Sequence, residues 1–137
     1  MIILYIAGIN DNKSAGPNTN IPKNIFYGSK YETIGIYNIY ETKTNDILKY
    51  KNYFSKETMK NNDITTLPFP FNNPDLVVFE EVYRVKYAKI AKSLKKKGIP
   101  YVITPRGSLT YHSQKRKAFK KLIGNILFFN HFVKNAA

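Results

Sequence analysis

The sequence predicts an α/β domain, a doubly wound parallel sheet with helices on both faces, and three observations predict it. Leu76 to Phe79 and Tyr101 to Ile103 are continuous apolar runs, the pattern of strands buried on both faces. Between them, Tyr83, Tyr87, Ile90, Ala91 and Leu94 recur at helical spacing within Val82 to Lys97, closed by Gly98 and Pro100. A third apolar run, Ile2 to Ala7, meets a polar loop and then a short helix, so strand and helix alternate along the chain.

The elements follow in order. Ile2 to Ala7 reads as a buried strand, and Gly8 to Asn20 as a polar loop from which a helix emerges at Asn18 or Thr19 and runs to Tyr27. Thr33 to Asn38 is a second strand. Asn45 to Lys60 carries a weak helical stripe of Ile47, Leu48, Tyr50, Tyr53 and Phe54, and Ile64 to Leu67 reads as a short strand. The prolines of Leu67 to Pro74 make a rigid connection, since each fixes φ and disfavours helix before it. Pro74 to Leu109 is the β-α-β unit, with the Ile2 strand expected beside the Leu76 strand. A final helix from Gln114 to about Lys134 is expected to bury Phe119, Leu122, Ile123, Ile126 and Phe129 or Val133.

Composition narrows the function. The 137 residues make one domain without cysteine, so no disulfide and no cysteine-based metal site or nucleophile is expected. The apolar start lacks a basic leader, and Leu122 to Val133 is interrupted by Asn125, Asn130 and His131, short of the roughly 20 residues of a spanning helix. The formal charge is +13, and all of the excess lies between Arg84 and Lys121, where 13 Lys or Arg meet no Asp or Glu. Such a field attracts phosphates, acidic lipid surfaces or nucleic acid. The preference for Lys over Arg fits an AT-rich genome, but that bias does not remove acids.

In a parallel sheet ligands sit at the carboxyl ends of the strands. Those ends carry Glu80, Glu81 and Tyr83 on one strand, and Arg106, Gly107 and Ser108 on the next. Glu80 and Glu81 face opposite ways, so one can point into a crevice as a hydrogen-bond acceptor or a base, while the other can simply favour a helix N-terminus. Arg106 offers a fixed fork of donors suited to phosphate, and Gly107 permits close backbone approach; the plain alternative is a tight turn. Gly8, Ser14, Ala15 and Gly16 lie where phosphate-binding loops sit, yet form neither a dinucleotide fingerprint nor a Walker loop. His112 and His131 are isolated, no ligand set has metal spacing, and Ser108 has no nearby base. Lys115, Arg116, Lys117, Lys120 and Lys121 form a basic patch suited to an anionic membrane surface.

The succession PDLVVFEEVY, a basic helix, IPYVITPRGSL and a Lys-rich amphipathic helix resembles the first half of a bacterial GT-B glycosyltransferase of the large retaining family four. The resemblance covers nearly the whole chain, most clearly from Pro74 to Ala137. It implies a Rossmann-like acceptor-side domain, residues 1–137, in an enzyme whose second domain binds most of the nucleotide-sugar. The chain is then expected to be a truncated half, inactive alone. It implies retaining sugar transfer to a lipid-linked or glycan acceptor for cell-surface polysaccharide, with a nucleotide-sugar as co-substrate and neither cofactor nor metal. Many relatives have His where this chain has Arg106, and the catalytic role near the donor sugar passes to Arg106 on that basis. Gly8, Ser14, Ala15 and Gly16 match the loop near the donor phosphates and the acceptor. The expected location is cytoplasmic and peripheral, at the inner face of the plasma membrane. A basic module that docks nucleic acid or membrane without catalysis is the alternative, although no RNA-binding or zinc-finger pattern is present.

Overall fold

The computed structural model describes residues 1–12, 16–43, 48–116 and 118–137. Its five strands are β1 (Ile2–Ala7), β2 (Thr33–Asn38), β3 (Tyr53–Phe54), β4 (Leu76–Glu80) and β5 (Tyr101–Thr104). Its helices are α1 (Gly16–Gly28), α2 (Val85–Lys96), α3 (Tyr111–Lys115), α4 (Ala118–Gly124) and α5 (Asn130–Lys134), with a π-helical turn at Asn125–Phe129. The strands form one sheet in the order β3-β2-β1-β4-β5, every pair parallel. This is a Rossmann-like α/β arrangement, with β1 beside β4 as the sequence predicts.

Two cores sandwich the sheet. On one face Ile21 and Ile25 of α1 pack with Ile3, Ala7, Ile34, Ile36 and Val78. On the other, Tyr87, Ile90, Ala91 and Leu94 of α2 pack with Leu4, Ile6, Val77, Phe79 and Tyr101. The apolar runs are continuous because alternate residues of each strand serve opposite cores. The end of α2 lies where Gly98 places it. Gly98 takes φ +68°, its N–H donates to Lys95 O, and the Ile99 N–H donates to Leu94 O, closing the last turn.

Three expectations are corrected. Ile64–Thr66 is a 3₁₀ turn, not a strand, because the Asp63 side chain caps it by accepting from the Thr65 N–H at 3.1 Å. Tyr53–Phe54 is strand β3 on the free edge of β2, where a helical stripe was expected; the Asn52 side chain extends the pairing by donating to Ile34 O at 3.0 Å. Residues 44–47, including Ile47 of that stripe, lie outside the described residues.

The third correction concerns the last helix. It begins at Tyr111 under a Thr110 cap and is interrupted at Arg116, which is extended (φ −71°, ψ 119°). Phe129 and Phe132 are its buried residues, while Phe119, Leu122, Ile123, Ile126 and Val133 are exposed. The segment is apolar on two faces, so periodicity did not identify the inward one. Phe132 stacks on Tyr101 at 5.6 Å, and the Tyr101 hydroxyl donates to Phe132 O at 2.6 Å.

Candidate functional site

Because all strands are parallel, the residues following β1, β2, β4 and β5 share one edge of the sheet. Chain order reverses between β1 and β4, and in parallel sheets of this kind the ligand crevice lies at that switch point. On the β1 side, Gly8 is a close-approach glycine: a Cβ there would stand 2.9 Å from the Tyr40 ring. Asn38, fully buried at the end of β2, holds this loop. Its Oδ1 accepts from the Ile9 N–H and its Nδ2 donates to Ile9 O, each at 2.9 Å. Asn38→Ala strands two buried backbone groups, with an expected loss of roughly 2–3 kcal/mol in urea unfolding. A loss below about 1 kcal/mol would mean that other partners take them up.

The other wall is built from two arginines. Arg84 donates from Nε and Nη2 to Glu81 Oε2, at 2.8 and 2.6 Å, and from Nη1 to the Tyr40 hydroxyl. Its guanidinium also lies over the Tyr40 ring, 5.3 Å from the centroid. Burial opposes the Arg84 charge, but Glu81 beside it holds the pKa above the ordinary arginine value. Arg106 grips Glu80 at two points, Nε to Oε2 at 2.6 Å and Nη2 to Oε1 at 3.0 Å. Glu80 is 2% exposed, and its hydrogen bonds also raise the Arg106 pKa. Tyr5 on β1 sits close enough for Glu80 to add to the upward push that burial gives its hydroxyl.

The backbone is unusual at the same places. Glu81 has φ +88° and Arg106 φ +48°, left-handed values that non-glycine residues adopt at a cost and that gather at functional sites. Gly107 follows with φ +77° and open space where a Cβ would be. Each of β4 and β5 is therefore followed, within two residues, by a left-handed residue whose side chain belongs to an ion pair.

The remaining expected site residues divide by role. Ser108 spends its hydroxyl on Pro105 O, and its own carbonyl accepts from Gln114 Nε2 at 2.9 Å, so it shapes the turn. Tyr83 leaves the crevice for the C-terminal helices, donating to Gln114 Oε1 at 3.0 Å and meeting Phe129 edge-on at 5.1 Å. Gly16 is exposed at the first turn of α1, which Asn18 ties back to Asn10 through a 2.8 Å hydrogen bond from its Nδ2. Ser14 and Ala15 lie outside the described residues, as does Lys117. Of the basic patch, Lys115, Arg116 and Lys120 are exposed, and Lys121 is half-buried with its ammonium over the Tyr83 ring. Among the described residues, no group of His, Cys, Asp or Glu could hold a metal ion.

Sequence reasoning missed Asn38, Tyr40 and Arg84. Asn38 and Tyr40 stand at the carboxyl end of β2, where the rule that singled out Glu80 and Arg106 applies equally. In the sequence Arg84 stands out only as the start of the basic stretch. A second basic groove, about 700 Å³, lies apart from the crevice between residues 61–63 and Lys89, Lys92, Lys96 and Lys97 on the outer side of α2. Comparisons with protein families, with curated proteins and with solved structures find no match to this chain.

Proposed function

We propose that the chain is the acceptor-side half of a retaining glycosyltransferase of GT-B type, moving a sugar from a nucleotide-sugar to a lipid-linked or glycan acceptor. The observation that carries this reading is the pair of anchored arginines after β4 and β5, Arg84 held by the left-handed Glu81 and Arg106 itself left-handed. Arg106 gives two of its five N–H groups to Glu80, which leaves three for oxygens of a phosphate or a sugar. Fixed donors of this kind stabilise a departing diphosphate without reorganising. Glu80 is then the positioning residue and Arg106 the catalytic one. Gly8 and Tyr40 stand on the β1 and β2 side, where Tyr40 meets Arg84; by the resemblance, Ser14, Ala15 and Gly16 are expected to contact the donor phosphates.

The reading includes a peripheral place at the cytoplasmic face of the membrane, where lipid-linked acceptors are presented. Among the described residues no helix is long and apolar enough to cross a membrane. The excess positive charge would hold the domain near anionic lipid.

The test on this chain is amide chemical-shift mapping with a soluble analogue of a polyprenyl-linked sugar, and separately with a short oligonucleotide. Shifts at Gly8, Tyr40, Glu81, Arg84 and Gly107 with the sugar lipid are expected. Silence there, with broad shifts from the oligonucleotide, would replace this reading by nucleic-acid docking. Transfer itself is assayed with a donor-binding domain present, since most donor contacts would come from it.

A further inference from the structure

The side of α4 that helical spacing assigns to the core faces water. Phe119, Leu122 and Ile123 of α4 and Ile126 of the π turn after it stand at positions i, i+3, i+4 and i+7, one stripe by helical spacing. Phe119 is 74% exposed, Ile126 70% and the adjoining Leu127 63%. The wide π turn that follows shifts the angular phase of the segment. Phe129 and Phe132 therefore reach the sheet, while Ile126 and Leu127 stay outside. Beside the stripe, Gln114, Ala118, Phe119, Lys121, Leu122 and Asn125 line an open groove of about 480 Å³. Exposed apolar surface gathered in this way marks a site of contact.

Its charge surroundings select the occupant. Lys115, Arg116 and Lys120 are exposed around the stripe, and the sequence has no acid from Val82 to Ala137. A second copy meeting this face by two-fold symmetry would set the same cations against each other. An anionic bilayer offers both what the apolar residues need and what the cations need. We propose that this face lies in the surface of an anionic lipid bilayer, with Phe119, Leu122, Ile126 and Leu127 inserted at the headgroup and acyl boundary. Lys115, Arg116 and Lys120 meet the lipid phosphates around them. Attraction between charges brings the domain to the surface, and apolar insertion keeps it there. The inference deepens the peripheral-membrane part of the proposed function and does not depend on sugar transfer.

The chain contains no tryptophan, so a single introduced one reports its own surroundings. Phe119→Trp is compared with Phe26→Trp, which replaces an exposed phenylalanine of α1. Each is mixed with vesicles of phosphatidylcholine, with and without phosphatidylglycerol. With anionic vesicles the Phe119→Trp emission should move to the blue and be quenched by lipids brominated on their acyl chains, while Phe26→Trp should change little. The triple variant Leu122→Ser, Ile126→Ser and Leu127→Ser should weaken vesicle binding at least about tenfold with unchanged circular dichroism. Part of the parent's binding should survive high salt, which screens charge but not burial.

Three results would overturn the inference. One is vesicle binding without a blue shift, which makes the contact electrostatic alone. The second is a blue shift without lipid that tracks protein concentration and a dimer in sedimentation. The third is binding to an oligonucleotide in preference to vesicles. A chain that inserts as proposed but supports no sugar transfer with a donor-binding domain present would leave this inference standing and overturn the catalytic reading.

Discussion

Arg106→Ala is expected to destabilise the domain by roughly 3–5 kcal/mol, the range found when one partner of a buried ion pair is removed. Glu80 is 2% exposed and the Arg106 side chain 18%, so the carboxylate left behind stays in the protein without its partner. The two-point geometry makes Arg106 hard to replace: Nε and Nη2 reach both carboxylate oxygens from a backbone already held in the left-handed region. Lysine offers one point charge and no fork, so Arg106→Lys should recover only part of the loss. Arg106→Ala combined with Glu80→Gln removes the stranded charge and should recover more. Urea unfolding of the parent, Arg106→Ala, Glu80→Gln and the double variant closes a double-mutant cycle for Glu80 and Arg106. A loss below about 1 kcal/mol in Arg106→Ala, the range of exposed pairs, would mean that the pair is open to water.

That result also decides how catalysis is tested. The position of Arg106 alone suggests that Arg106→Ala lowers sugar transfer far more than stability, but the buried partner makes that single variant ambiguous. The informative enzyme is Arg106→Ala with Glu80→Gln, where the charge is balanced. Lost transfer at recovered stability would belong to the crevice, whereas full turnover would reduce Arg106 to a structural residue.

The pairing itself shows what a sequence reading reaches and where it stops. Leu76 to Phe79, Tyr101 to Ile103 and the stripe on α2 were legible because burial on two faces and burial on one leave different periods. The carboxyl ends of β4 and β5 followed from those elements. The contact between Glu80 and Arg106 did not, because it depends on register. Glu80 pairs with Thr104 in the ladder, which sets the β5 turn against the β4 turn across 26 positions of sequence. Strand β3 escaped for a different reason. Two residues have no period, and Tyr53 and Phe54 are strand only because β2 offers them an edge. The last helix was misassigned by a surplus of signal: Phe119, Leu122 and Ile126 make one good apolar face, and Phe129 and Phe132 start another.

Phe79 and Phe132 should separate that second face from the sheet it rests on. Phe79 is fully buried in β4, with ring centroids 5.2 Å from Tyr87, 5.4 Å from Tyr101 and 5.0 Å from Phe132. Phe79→Ala removes the ring that joins α2, β5 and α5, at an expected cost of about 3–5 kcal/mol. For a domain of this size that lowers Tm by roughly 10–20 °C and unfolds the chain as a unit. Phe132→Ala removes a ring of the same size from the edge of the same cluster. Phe132 belongs to α5, which reaches the sheet through the stack on Tyr101 and the backbone bond from Ala137 N to Tyr101 O at 2.9 Å. Its loss should release α3, α4 and α5 while β1, β2 and β4 keep their ladders. Hydrogen exchange distinguishes the two variants. In Phe132→Ala, amides of residues 111–134 should exchange fast and those of β1 slowly. Equal loss of protection in β1 would make the C-terminal helices part of the folding unit, so that the basic and apolar surface they carry could not move without the sheet.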